Sequence, residues 1–560
     1  MLVLILSSVT PSTAAANTTN ATLNPSGSIS SSTVVYVPDD YEKIQWAVDN
    51  ASTGDHVIVK NGSYTENIVV DKAVTIWSDK GSTNCTVIAA DPTKPVFELN
   101  ANSVTMIGLK IEGANDSCGI LVAGVTNSDI SYNNVTGNFQ GILLDKASQN
   151  SIVNNTVCTN KDCGIKLANG SSHNQLTWND VFNNINQGIG LWTSSENTLT
   201  LNYAMNNTQG ICLTNSNKNM INENVLHLNY RGIAGIGIWS SRENTITGNA
   251  IQNNSYGIYL SDSSNINITD NDVYYNYHKG IGFSASDTNT ITNNRVMANE
   301  KSGIYFTDSG KNVITDNHVY SNSEKGIELW TSCENTITDN QAEHNGKSGI
   351  YLNKSSNKNT ITDNVAFSNQ AHGISVWDSY DNEIRNNGAD SNNYHGIILL
   401  NSYSSVVANN RAKDNRNSGL YFLKSNHITV TGNDVSENRL WGITLDRSNN
   451  IELRDNIANT NEYQHGIGLT ASSDNIIVNN TANYNGVYGF YFNKSCNNVI
   501  TDNTASNNHM EGISLLSACN NNKIRNNVVD SNERQGITIR LSEENVLTNN
   551  LANKNGIYGI

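Results

Sequence analysis

The residues able to do chemistry are few and regularly spaced. His372 and His395 each directly precede a Gly-Ile pair, 23 residues apart, with Trp377, Asp378, Tyr380, Tyr394 and Arg416 close by in sequence. A lyase or epimerase needs a base for the proton beside a uronate carboxyl and a cation to neutralise that carboxyl. His372, His395, Tyr394, Asp378 and Arg416 are the candidates for those roles. Two histidines at a permissive turn position are the plainer alternative.

Aromatic residues follow the same rhythm. Trp192, Trp239, Trp330 and Trp377 stand four residues after such a glycine, and Tyr259, Tyr305 and Tyr351 stand two after, as do Tyr421 and Tyr491. Facing outward, Tyr305, Trp330, Tyr351 and Trp377 form an exposed strip suited to the apolar faces of sugar rings in an extended glycan. Rings that stack on one another to stiffen a sheet are the alternative. Asp316, Asp339 and Asp363 recur at the same position of successive units. Like charges about 5 Å apart repel, so a calcium ion between them is one reading, and the preference of Asp for turns is the other. Cys496 and Cys519 each follow their glycine by seven residues, which predicts a disulfide, and Cys158 and Cys163 could close a small turn. The eleven His and six Met show no copper-ligand spacing, and no CxxC pair or Cys/His box has zinc spacing. No cofactor is required by these motifs.

The rhythm itself is the organising feature. From Gly119 to Gly559, twenty glycines followed by Ile, Leu or Phe recur at intervals of 22 to 25 residues. One unit reads Gly326-Ile327-Glu328-Leu329-Trp330, then Asn335-Thr336-Ile337-Thr338-Asp339-Asn340, then Ala342 and Asn345. Each apolar stretch alternates with period two, and none has helical period. Three short strands and three turns in each unit describe one coil of a parallel β-helix. Trp in one coil and Tyr in the next suggest a two-coil unit of about 46 residues.

Composition agrees with this. Of 560 residues 97 are Asn, only 5 are Pro, and 37% are hydrophobic, which leaves a core that is thin and long. Stacked coils place Asn340, Asn364 and Asn387 in one column and Asn345, Asn369 and Asn392 in another, where amides bond coil to coil about 4.8 Å apart. A net charge of −16 with 15% charged residues argues against nucleic acid as a partner.

The expected organisation is a signal peptide at 1–16, a Ser/Thr/Asn-rich tether at 17–33, a cap with the first coils at 34–118, and β-helix repeats at 119–560. Leu2 to Val9 and Ala14-Ala15-Ala16 carry the signal reading. Sequons such as Asn61, Asn134, Asn206, Asn353 and Asn493 fit an exported chain. No run of 18 apolar residues follows the signal to span a membrane. In the cap, Tyr41 to Asn50 reads as an amphipathic helix with Ile44, Ala47 and Val48 on one face. The chain stops at Gly559-Ile560 in mid-strand, which suggests a fragment or a rod continued by further material.

Val37-Pro38-Asp39-Asp40-Tyr41, Ile44-Gln45-x-Ala47-Val48, Gly54-Asp55 and Gly62-Ser63-Tyr64-Thr65-Glu66-Asn67 precede tandem Gly-Ile-x-Leu and Asn-x-Ile-Thr-x-Asn units. Together they resemble the NosD-like right-handed β-helix proteins, whose repeats are those of carbohydrate-binding proteins and sugar hydrolases. The resemblance implies an all-β, single-stranded right-handed parallel β-helix of the pectin-lyase type, with about 20 coils and an N-terminal cap. Similar rods serve as polysaccharide lyases, epimerases, copper-site maturation factors and surface proteins. The Asp-Pro-His signature of the alginate epimerases is absent here. The expected function is therefore a secreted or cell-surface rod that binds envelope or extracellular polysaccharide, or acts as a spacer, with surface-layer proteins as further partners. The alternative is a lyase, C5-epimerase or glycosidase.

Overall fold

The computed structural model describes residues 32–560. The expected signal segment, 1–16, and all but the last two residues of the expected tether, 17–33, lie outside the described residues.

Every strand pairing is parallel and joins equivalent positions one coil apart, as in Ile327↔Ile350 and Ile337↔Ile361. Three sheets result. The front sheet stacks the Gly-Ile strands such as Ile327–Trp330, the 23-stranded back sheet stacks strands such as Thr336–Thr338, and the 13-stranded side sheet ends at Gln341–Glu343. At about 4.8 Å per coil the rod is about 100 Å long.

Alternation fixes what lies inside. Ile327, Leu329, Ile337 and Ala342 are wholly buried, and their counterparts in other coils form unbroken apolar columns. Phe283 and Phe306 stack within one such column at 4.4 Å. The core is one residue wide at each position, so its stability comes from contact between coils.

Asparagine supplies the corners. Asn340 Nδ2 donates to Asn364 Oδ1 at 3.0 Å and to the carbonyls of Ile314 and Thr338 at 2.9 Å, while its backbone N–H donates to the same Asn364 Oδ1. Asn345, Asn369 and Asn392 form a second ladder. A third, through Asn335, Asn359 and Asn382, and a serine ladder through Ser309, Ser332 and Ser356 complete the turns. Asn340, Asn345 and Asn335 each use both the donor and the acceptor side of the buried amide, which is the condition for burying it cheaply, whereas Asn382 Nδ2 is left without a partner.

The repeat glycine answers a steric demand. A Cβ on Gly373 would lie 2.7 Å from the Gly396 carbonyl and 2.8 Å from Asn392 Nδ2.

The cap contains a short helix, Ile44–Asn50, which buries Ile44, Ala47 and Val48. Glu66 accepts the N–H groups of Ile44 and Gln45 at 2.9 and 3.0 Å, so a carboxylate closes the positive end of the helix.

The expected Cys496–Cys519 disulfide is not formed, and all eight cysteines are free thiols. Register is the reason. After Leu516 both Ser517 and Ala518 take left-handed backbone, φ 55° and 54°, which adds a residue to that turn. Cys519 therefore falls in the inward serine column, its N–H donating to Ser542 Oγ as Ser472 donates to Ser495. Cys496 instead lies beside Asn520, whose N–H points at its sulfur. Cys158 and Cys163 are also unpaired, with their thiols against Thr136 and Gln187.

A candidate glycan site on the front sheet

The front sheet presents two outward positions after each glycine, and the predicted aromatics occupy them. Register places Trp330 beside Thr307 and Asn353, and Tyr305 beside Glu328, which in turn adjoins Tyr351. All seven predicted aromatics thus share one face, but the strip is not an exposed one. Tyr351 is only 8% accessible and the other six are half-buried. Trp192 and Trp239 fold back over Gly190 and Gly237. Lysines cover the rings of Trp192, Tyr305, Trp330 and Tyr351, as Lys354 does Trp330 at 4.7 Å. Tyr351 meets Trp377 edge to face at 5.4 Å, and Trp239 meets Tyr259 at 6.3 Å. Much of the strip therefore stiffens the sheet.

The histidine pair stacks as its spacing implies, at 5.3 Å and 6°. Tyr394 joins it, 5.6 Å from His372. Asp378 and Arg416 do not. Asp378 accepts the Asn401 amide at 2.7 Å, and exposed Arg416 forms no ion pair among the described residues. Burial pushes His372 down to about 4 and His395 to about 3, with His372 adding to the effect on His395. His372 Nδ1 accepts the His395 N–H, and His395 Nδ1 accepts the Ser418 N–H. The proton of each neutral ring then sits on Nε2, which leaves no lone pair for a substrate proton. These imidazoles act as backbone acceptors.

A packing rule that the sequence reading missed organises this face. The residue just before each repeat glycine packs on the residue two past the glycine of the next coil. His395 stacks on Tyr421, His465 on Tyr491, and Trp441 lies over Gly468. Large residues therefore meet small ones or flat rings. At Ser418 and Thr444 both members are small, and the ring layer there has a gap.

That gap is a pit of about 280 Å³ lined by His395, Asn417, Ser418, Tyr421, Trp441, Thr444, Asp446 and Thr470. Asp446 stands at its edge, held by Arg447 Nε at 2.9 Å and by the Tyr421 hydroxyl at 3.3 Å. Rings, hydroxyls and a positioned carboxylate meet here. A larger hollow of about 540 Å³ near Gly388 is walled by Val365, Phe367 and Arg411, but its Asp390 is committed to Arg411 and the Lys413 N–H.

The proposed metal positions do not converge. Asp316, Asp339 and Asp363 sit at left-handed turns, each accepting the hydroxyl of its preceding threonine at 2.9–3.0 Å. Among the described residues no three His, Cys, Asp or Glu side chains gather to hold an ion. Burial pushes the thiols of Cys85, Cys118 and Cys212 up to about 12. Among the described residues no helix is long and apolar enough to cross a membrane.

The chain is 28% identical over 229 residues to a "Cell surface glycoprotein" of Methanothermus fervidus, covering 33% of this chain and 38% of that one, so it spans well under half of that relative. Among solved structures it is similar to the periplasmic alginate epimerase AlgG, at 14% identity over 71% of this chain and 83% of that one with a TM-score of 0.30. It is also similar to the PL6 family alginate lyase AlyGC, at 10% identity over 94% and 100% with a TM-score of 0.39. The "Periplasmic copper-binding protein (NosD)" family matches residues 48–234. The "Right handed beta helix region" family matches in overlapping segments, 202–342, 234–389, 329–481, 372–524 and 460–560. Over residues 202–560, the chain belongs to the right-handed β-helix family.

Proposed function

We propose that the protein is a cell-surface rod that binds envelope or extracellular glycan through its front sheet. The observation that carries this reading is the pit between Tyr421 and Trp441, where ring faces and the Asp446 carboxylate meet the two needs of sugar recognition, apolar stacking and hydroxyl pairing. The absence of an available base at His372 and His395 favours binding over turnover. The similarity to a cell surface glycoprotein supports the location.

Glycan-array binding by the purified protein, with product analysis by mass spectrometry, tests the reading. Retention of intact glycans is the expected result. Release of unsaturated or shortened sugars, lost in His395→Ala, overturns it in favour of a lyase or glycosidase, and an inverted uronate centre in the product does so in favour of an epimerase.

A further inference from the structure

The pit interrupts a stack of rings. His372, His395 and Tyr421, from consecutive coils, stack at 5.3 and 4.5 Å with planes 6° and 10° apart, so their ring normals follow the rod axis. The next pair in that series is Ser418 with Thr444, two hydroxyls 3.3 Å apart and no ring. Trp441 then covers the following coil at Gly468.

From this geometry we infer that the pit takes one neutral sugar ring, entering end-on as the terminal or branch residue of a glycan, stacked on Tyr421 with its hydroxyls on Asp446. The inference rests on the glycan-binding reading of this face and specifies what is bound.

Three arguments support it. At about 280 Å³ the pit lies below the roughly 300–1,000 Å³ of sites that enclose drug-sized ligands, and holds a single ring more readily than an oligosaccharide. Along the axis it is flanked by Tyr421 with His395 on one side and by Trp441 on the other. A polymer lying along the rod rides on those rings and cannot lower an internal residue between them without lifting its neighbours. Chemistry selects the ring. Asp446 is a pure acceptor held in place by Arg447 and Tyr421, with lone pairs left for hydroxyl donors. A sugar carboxylate at the same place meets that negative charge, on a chain of net charge −16.

The test is a glycan array displaying neutral and acidic sugars both as terminal and as internal residues. Methyl α-mannoside, methyl β-galactoside, methyl β-glucoside and methyl N-acetyl-β-glucosaminide serve as competitors. Asp446→Asn removes the charge, and Thr444→Tyr fills the pit with a residue already present at this position in Tyr421 and Tyr491. The expected result is binding to glycans that share one neutral terminal residue, inhibited by the matching methyl glycoside. Binding should be at least tenfold weaker in Asp446→Asn and abolished in Thr444→Tyr, with melting temperatures unchanged. Selection of internal segments or acidic termini, or binding that survives Thr444→Tyr, overturns the end-on pit while leaving glycan binding intact. Failure to bind any glycan overturns the wider reading.

Discussion

At the scale of single residues, burial decides what the histidines do. His372, His395 and His465 are held down at about 4, 3 and 3 by burial, against an ordinary value of about 6.5. Each therefore binds its proton more readily in the unfolded chain. The stability they contribute is fully present above pH about 6.5 and drains as the pH falls toward 4 and 3, by up to about 1.4 kcal/mol per pH unit for each ring. Melting curves between pH 7 and 5 should show the wild type losing stability more steeply than His395→Gln. Parallel slopes would mean that His395 is not buried as a neutral ring. Sequence spacing was enough to pair His372 with His395, because both precede the same glycine. It could not separate a catalytic imidazole from a backbone acceptor, since that depends on which nitrogen meets the Ser418 N–H.

At the scale of the coil, two glycines of similar appearance carry different constraints. A Cβ on Gly373 strikes the next coil's carbonyl and asparagine ladder, whereas one on Gly388 meets nothing closer than 3.7 Å. Gly373→Ala should cost about 3 kcal/mol, as overpacking of a fitted core does, and Gly388→Ala less than about 0.5 kcal/mol. Equilibrium denaturation of the two variants checks this, and equal losses would show that the repeat glycine is not set by packing. The fold was legible at this scale because period-two alternation, the glycine rhythm and the Asn columns all repeat some twenty times. What remained hidden was the pairing across coils. Trp441 over Gly468 and Ser418 beside Thr444 join residues 26 or 27 apart that no single-coil pattern links, yet the large-with-small complementarity is visible once the offset is known. The same limit explains the missed register at Cys519, where one added turn residue moved a side chain from the outer to the inner column.

At the scale of the whole molecule, the rod offers its sequons unequally. Asn206 is exposed on a turn, whereas Asn353 is 8% accessible and donates its amide to the Tyr351 hydroxyl at 2.8 Å. Peptide mapping of protein from its native source should find glycan at Asn206 and none at Asn353, leaving the middle of the front sheet bare. Glycan at Asn353 would contradict that packing. On this face we propose that a sugar sits between Tyr421 and Trp441. The most direct test is calorimetric titration of the wild type and Trp441→Ala with a glycan selected on the array. Affinity at least tenfold weaker in the variant, measured at a temperature where both proteins are folded, is the expected result, and equal affinities would show that no sugar sits against Trp441.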